Sequence, residues 1–392
     1  MSAAAEILGE ARVLVCLGPG GVGKTTTAAA LAYAAAADGR RVAVLTVDPA
    51  ARLKDALGLP DEPGALHPIP LPRGAAGSLV AGVLDAKGLF DELVRRLAPS
   101  PSVAERVLAN PVYRNVAGAF AGSDAYMALE RVLDVVDGGR FDLVVVDTPP
   151  AAHALDLFDA PARVLALLDS PALDYLGEPI RILGGATSRL ARGLLAAVLA
   201  GLERLTGLSL LADVSALARD FALVSPAFRQ RAEAISALLR SPATRFLLIA
   251  APDPHGAQDL VAFAGELAQA GVRCDGLVLN RVLSLDASLP RLPAVDPGRA
   301  EGAALTWPPS LSRKLVRCLH ELEAHAEAQR RVTAELRRGL EERGLLPERW
   351  IELPQLSPAP TSAEGIQRLA ASLRSGAEAP DDAAARRSQR LG

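Results

Sequence analysis

The chain reads as an α/β protein built on a doubly wound, mostly parallel sheet, with a helical subdomain inserted into it. Three observations predict this. Short β-branched runs alternate with Ala- and Leu-rich stretches of helical spacing. A glycine-rich turn, Gly18-Pro19-Gly20-Gly21-Val22-Gly23, joins the first such run to the first helix. The strand signal then disappears between about residues 160 and 240, where Leu, Ala and Arg recur at helical spacing instead.

In chain order, Arg12 to Leu17, Val42 to Val47, Leu79 to Leu84, Leu143 to Val146, Phe246 to Ala250, Leu277 to Leu279 and Trp350 to Leu353 read as strands. Runs this continuously apolar suit a parallel sheet covered on both faces. The first crossover helix runs from Thr25 to about Ala37 and stops at Asp38-Gly39, which makes a compact βαβ unit with the next strand. Helical spacing marks Leu190 to Leu211 and Phe228 to Leu239 within the insert. The proline-rich stretch Asp286 to Pro309 reads as a loop, and Leu311, Leu315, Leu319, Leu322, Ala326, Leu336 and Leu340 mark a long amphipathic helix that Gly344 and Pro347 stop. Residues 1–375 are expected to form one domain, its core from 1–160 and 241–375 and its helical subdomain about 161–240. Residues 376–392, without periodicity, read as a disordered tail.

Bulk properties narrow the function. Half of the 392 residues are hydrophobic, enough for a sizeable core, and the formal net charge of -3, with both signs interspersed, offers no basic face for nucleic acid. Met1 to Glu10 does not resemble an export signal, and the apolar stretch Leu194 to Leu202 is too short to cross a bilayer. Cys16, Cys274 and Cys318 form no CxxC pair and encode neither a disulfide framework nor a local zinc site, which fits a cytoplasmic protein.

Gly18 to Thr25 matches the phosphate loop of P-loop NTPases, between a strand and a helix as the chemistry requires. Its glycines let backbone N–H groups turn toward a phosphate, and the following helix N-terminus adds partial positive charge. Lys24 is placed to reach the β- and γ-phosphates of ATP and Thr25 to ligate magnesium. Asp147 closes an apolar strand at the edge where such sheets bind ligands, and is expected to contact the magnesium directly or through a water. Asp48 closes another strand and is expected to orient the water that attacks the γ-phosphate, although Asp48-Pro49 also reads as a plain helix start.

Together these pieces resemble the ArsA-type family, which includes arsenical-pump ATPases and ATPases that target tail-anchored membrane proteins. Gly20-Gly21-Val22-Gly23-Lys24-Thr25-Thr26 is similar to the family's deviant phosphate loop. Thr46-Val47-Asp48-Pro49-Ala50 resembles its switch I, and Asp147 to Leu155, which contains His153, resembles its switch II. The resemblance implies that Asn280 contacts adenine, with Pro354 against the base. It also implies an ATP-dependent dimer, formed with a second copy or a paralogue, whose helical subdomain takes a protein client.

The sequence departs from the family in three places. Pro19 stands where the family has a signature lysine that reaches the partner's nucleotide, and Arg52 is a candidate substitute cation, with a solvated surface arginine as the other reading. The cysteines do not converge as arsenite capture requires, and the zinc-binding CxxC of eukaryotic targeting members is missing.

Overall fold

The computed structural model describes residues 3–47, 52–60, 62, 64–84, 86–114, 124–169, 210–283, 309–357, 359–360 and 362–375. Among them lies an eight-stranded sheet: β1 (Val13–Leu17), β2 (Arg41–Thr46), β3 (His67–Ile69), β4 (Ser78–Val83), β5 (Leu143–Asp147), β6 (Thr244–Ala250), β7 (Gly276–Val282) and β8 (Arg349–Pro354). Their spatial order is β3-β4-β2-β5-β1-β6-β7-β8, parallel throughout except for β3, which pairs antiparallel with β4. Each of the seven strands expected from sequence is present, with ends moved by at most three residues. The addition is β3, a three-residue edge strand containing Pro68. Proline lacks the N–H a central strand needs, and an edge position tolerates that loss.

The helices are α1 (Ala3–Leu8), α2 (Lys24–Ala37), α3 (Arg52–Leu57), α4 (Ala86–Leu97), α5 (Pro101–Ala109), α6 (Asp124–Asp137), α7 (Ala151–Leu168), α8 (Leu210–Arg240), α9 (Pro254–Gln269), α10 (Pro309–Glu341) and α11 (Ala363–Ser375). Two apolar layers sandwich the sheet. One packs α1, α2, α3 and α11 around Leu14, Leu31, Val44, Ile249 and Leu369. The other packs α6, α7, α9 and α10 around Val15, Leu45, Val146, Phe263 and Leu336. Helix α2 is apolar all round, with every residue from Thr27 to Ala36 buried, because its small alanines let it fit between the sheet and α11. Helix α10 begins at Pro309, whose missing N–H costs nothing in a first turn, and ends before a turn at Gly344, φ 66°.

A third cluster joins α4 to α8 through Leu93, Val107, Tyr126, Val224, Phe228 and Ile235. It draws on helices before β5 as well as after it. At its edge the buried carboxylate of Glu130 meets Arg231 at 2.6 Å and accepts a hydrogen bond from the Tyr126 hydroxyl at 2.7 Å. Arg231 also meets Asp134 at 2.7 Å, so the charge removed from water is matched. Of the expected helical stretches, Phe228 to Leu239 falls within α8. Most of Leu190 to Leu211, the Asp286 to Pro309 loop apart from Pro309 itself, and the 376–392 tail lie outside the described residues.

Candidate functional site

The chain leaves β1 with β5 on one side and β6 on the other, the point where strand order reverses and open α/β sheets bind ligands. The loop that follows is shaped by glycine. Gly18, Gly21 and Gly23 have φ of 152°, 79° and 93°. A Cβ on Gly18 would lie 2.1 Å from the Ile249 carbonyl oxygen, and one on Gly23 would lie 2.4 Å from Asn280 Nδ2. Side chains are sterically excluded at both positions, which leaves backbone N–H groups to line the turn.

Lys24 and Thr25, both buried, open α2. The Lys24 ammonium donates to the carbonyls of Gly18 at 3.0 Å and Pro19 at 2.8 Å, folding back over its own loop. Pro19 therefore contributes a backbone acceptor for Lys24. Thr26 is half-buried one residue further along α2, and Gly20 faces Pro150, whose Cβ lies 3.9 Å from a notional glycine Cβ.

On the β5 flank, Asp147 is fully buried and its Oδ2 accepts from the Thr46 hydroxyl at 3.0 Å. The register of β2 against β5 sets Thr46 opposite Asp147, so this contact follows from strand pairing alone. Next to it, Thr148 donates to the Cys16 carbonyl at 2.7 Å, and the Ala151 N–H donates to the Gly18 carbonyl at 3.1 Å. The start of α7 is thus stitched to the phosphate loop. Burial pushes the Cys16 thiol far above its ordinary range and the neighbouring Asp147 carboxylate adds to this, while Lys24 pulls the other way. Asp48 lies outside the described residues, Arg52 begins α3 with its side chain outside them, and His153 lies in α7 on the same terms.

On the β7 flank, buried Asn280 donates from Nδ2 to the Val22 carbonyl at 2.9 Å, clamping the loop from the opposite side. Pro354, at the end of β8, stands in register with Val282, and the Gln355 N–H donates to the Val282 carbonyl at 2.8 Å. The structure thus gathers Gly20, Gly21, Val22, Gly23, Lys24, Thr25, Thr26, Asp147, Asn280 and Pro354 at one sheet edge, although they span more than 300 residues of sequence. Two residues that sequence reasoning did not single out join them, Arg281 and Gln329, together with Thr46, which it named only within the switch I resemblance. Gln329 carried a signal, since it is a polar residue on the buried stripe of α10 between Ala326 and Val332.

Chemically, the site is a backbone cradle at a helix N-terminus, with a buried ammonium on one wall and a buried carboxylate and hydroxyl beyond it. The cradle, emptied of side chains by its own sterics, fits a phosphate chain, and the hard oxygens of Thr25 and Asp147 fit a magnesium ion.

Fold and loop together define the class, a P-loop nucleotide-binding α/β protein. Residues 11–173 match the family model of anion-transporting ATPases. The chain is similar to an uncharacterised protein of Streptomyces coelicolor, 32% identical over 278 residues that cover 70% of this chain and 63% of that one. It is also similar to the Mycobacterium tuberculosis protein Rv2184c, 30% identical over 305 residues that cover 73% of this chain and 63% of that one. A Trypanosoma cruzi protein named as an ATPase ASNA1 homolog is 27% identical over 300 residues, 70% of this chain and 75% of that one. Together the family match and these relatives support placing the chain among the ArsA-type ATPases. It spans 63% of the length of each of the two bacterial relatives.

Proposed function

We propose that the protein binds ATP with magnesium, hydrolyses it, and works as a dimeric switch whose nucleotide state governs binding or release of a protein partner through the helical subdomain of residues 161–240. The observation that carries the nucleotide reading is the cradle itself: Gly18 and Gly23 with side chains excluded and Gly21 at positive φ, at the N-terminus of α2, with the Lys24 ammonium buried against the loop. Lys24 would exchange its carbonyl contacts for phosphate oxygens. Thr25 and Asp147 would hold the magnesium, which when bound offsets charge on the β- and γ-phosphates. Asp48 is assigned to orienting the attacking water, Arg52 to supplying a cation, and Asn280 with Pro354 to the base.

The thiols argue against arsenite as an effector, since Cys16 is buried in β1 and held protonated. Among the described residues no helix is long and apolar enough to cross a membrane. We place the protein in the cytoplasm, without a nucleic-acid partner, as a homodimer or paired with a paralogue. The test is phosphate release measured with light-scattering mass on the same sample, with and without ATP and magnesium. Magnesium-dependent turnover and an ATP-dependent doubling of mass are expected, and no turnover with partners present would sink the enzyme assignment.

Pro19 favours a second reading, a weakly hydrolytic subunit of a hetero-complex whose paralogue supplies the missing lysine. In that case ATP binds while turnover stays at background until the paralogue is added. Strong turnover by the isolated homodimer excludes it.

A further inference from the structure

Arg281 is the residue other than glycine that takes a left-handed backbone among the described residues, with φ 65°. An L-residue with a long side chain adopts this conformation only where its surroundings hold it there, and such positions concentrate at ligand sites. Its surroundings are specific. Buried Gln329 reaches across from α10, accepting from the Leu283 N–H at 2.7 Å and donating from Nε2 to the Arg281 carbonyl at 3.4 Å. The preceding residue, Asn280, is tied to the Val22 carbonyl. The turn is therefore gripped on both sides of the strained residue.

The result of that grip is the position of the guanidinium. Its Nη2 lies 3.9 Å from where a Cβ on Gly23 would stand, over the N-terminal end of α2. The side chain is exposed, and among the described residues it takes part in no hydrogen bond or ion pair. A cation held beside a helix N-terminus is repelled by its partial positive charge, and an anion bound there reverses the sign of that interaction.

We propose that Arg281 is a nucleotide-binding residue that contacts the phosphate chain at its base-proximal end, the α-phosphate. The inference rests on the nucleotide reading given above, and the sheet order selects the end. β7 is separated from β5 and β2 by β1 and β6, so Arg281 stands on the flank opposite Asp147 and Thr46, which are assigned to the magnesium end. Lys24 lies between the two flanks, with its ammonium over Gly18 and Pro19. Arg281 shares its flank with Asn280 and Pro354, the residues assigned to the base. It therefore grips ADP and ATP alike and does not replace the γ-phosphate cation missing at Pro19.

Calorimetric titration of the full chain with magnesium-ATP and magnesium-ADP tests this in the wild type and in Arg281→Gln, Arg281→Lys and Arg281→Gly. Losing one charge-assisted hydrogen bond predicts that Arg281→Gln weakens both nucleotides by about tenfold and by the same factor. Arg281→Lys should retain part of the affinity, because the charge survives without the planar fork. Arg281→Gly relieves the left-handed backbone, so its melting temperature should match or exceed that of the wild type while its affinity falls as in Arg281→Gln. A purely structural role for Arg281 predicts no such split. If Arg281→Gln and Arg281→Gly bind both nucleotides like the wild type, the inference fails and the nucleotide reading stands. Weakening confined to ATP also overturns it, because that places the contact at the γ-phosphate. A wild type that binds neither nucleotide overturns both.

Discussion

On the β5 side of the phosphate loop the polar side chains are tied to the sheet itself, whereas on the β7 side they are tied in part to a helix. Thr46, Asp147 and Thr148 are buried and bonded to partners on neighbouring strands, so their geometry lasts as long as the strand register does. Asn280 is held equally well by Val22, but the turn after it depends on Gln329 and hence on the seating of α10. The difference separates two kinds of preorganisation. One flank is fixed by topology, and the other follows the seating of a helix, which on the proposed reading would couple that helix to nucleotide binding.

The largest effect should come from the loop that both flanks serve: Lys24→Ala is expected to lower phosphate release on the order of 100-fold, as for a lost transition-state donor. Asp48→Asn should act in the same direction. Within the β5 flank, Asp147→Asn should raise the magnesium needed for half-maximal turnover by roughly 10- to 100-fold while leaving the fold intact, because asparagine can still accept from Thr46. A magnesium requirement equal to that of the wild type would remove Asp147 from the metal site. On the β7 flank, Asn280→Ala strands the buried Val22 carbonyl. It should cost about 1–3 kcal/mol in urea unfolding and also weaken nucleotide binding. Gln329→Leu sharpens the comparison further. It should cost about 1 kcal/mol through the Leu283 N–H and shift nucleotide affinity about threefold, although Gln329 is assigned no contact with ligand. No shift in affinity would mean that α10 and the site are uncoupled.

The smallest effect is expected at the far end of β5. Exposed Asp142 pairs with Arg41, whose hydrogen bonds and charge hold its carboxyl down at about 2. A depressed value in the folded state stabilises above the ordinary carboxylate range, and the contribution is lost as pH falls toward 2. Asp142→Asn should therefore flatten the acid limb of a stability profile slightly and leave nucleotide affinity unchanged, a control for substitutions on the same strand as Asp147.

Much of this site was legible before any coordinates because its parts are local. The glycines, Lys24 and Thr25 sit in one contiguous stretch between a strand and a helix, and Asp147 ends an apolar run whose direction is set by a parallel sheet. β3 was missed because three residues around Pro68 make no period. Arg281 was missed for a different reason. An arginine after a strand looks like any solvated residue until the topology carries position 281 beside position 23, and its φ has no trace in the sequence. Gln329 became meaningful only when the buried stripe of α10 was seen to face that turn.

Helix α2 has a kinetic consequence. Its amides from Thr27 to Ala36 are enclosed by the sheet on one side and α11 on the other, so their hydrogen exchange should follow global unfolding, the slowest opening the molecule has. The phosphate loop Gly18 to Gly23 leads directly into that helix. On the proposed nucleotide reading, capture meets a loop already anchored to that helix, and its rate should approach the limit set by diffusion and the charge at the mouth of the site.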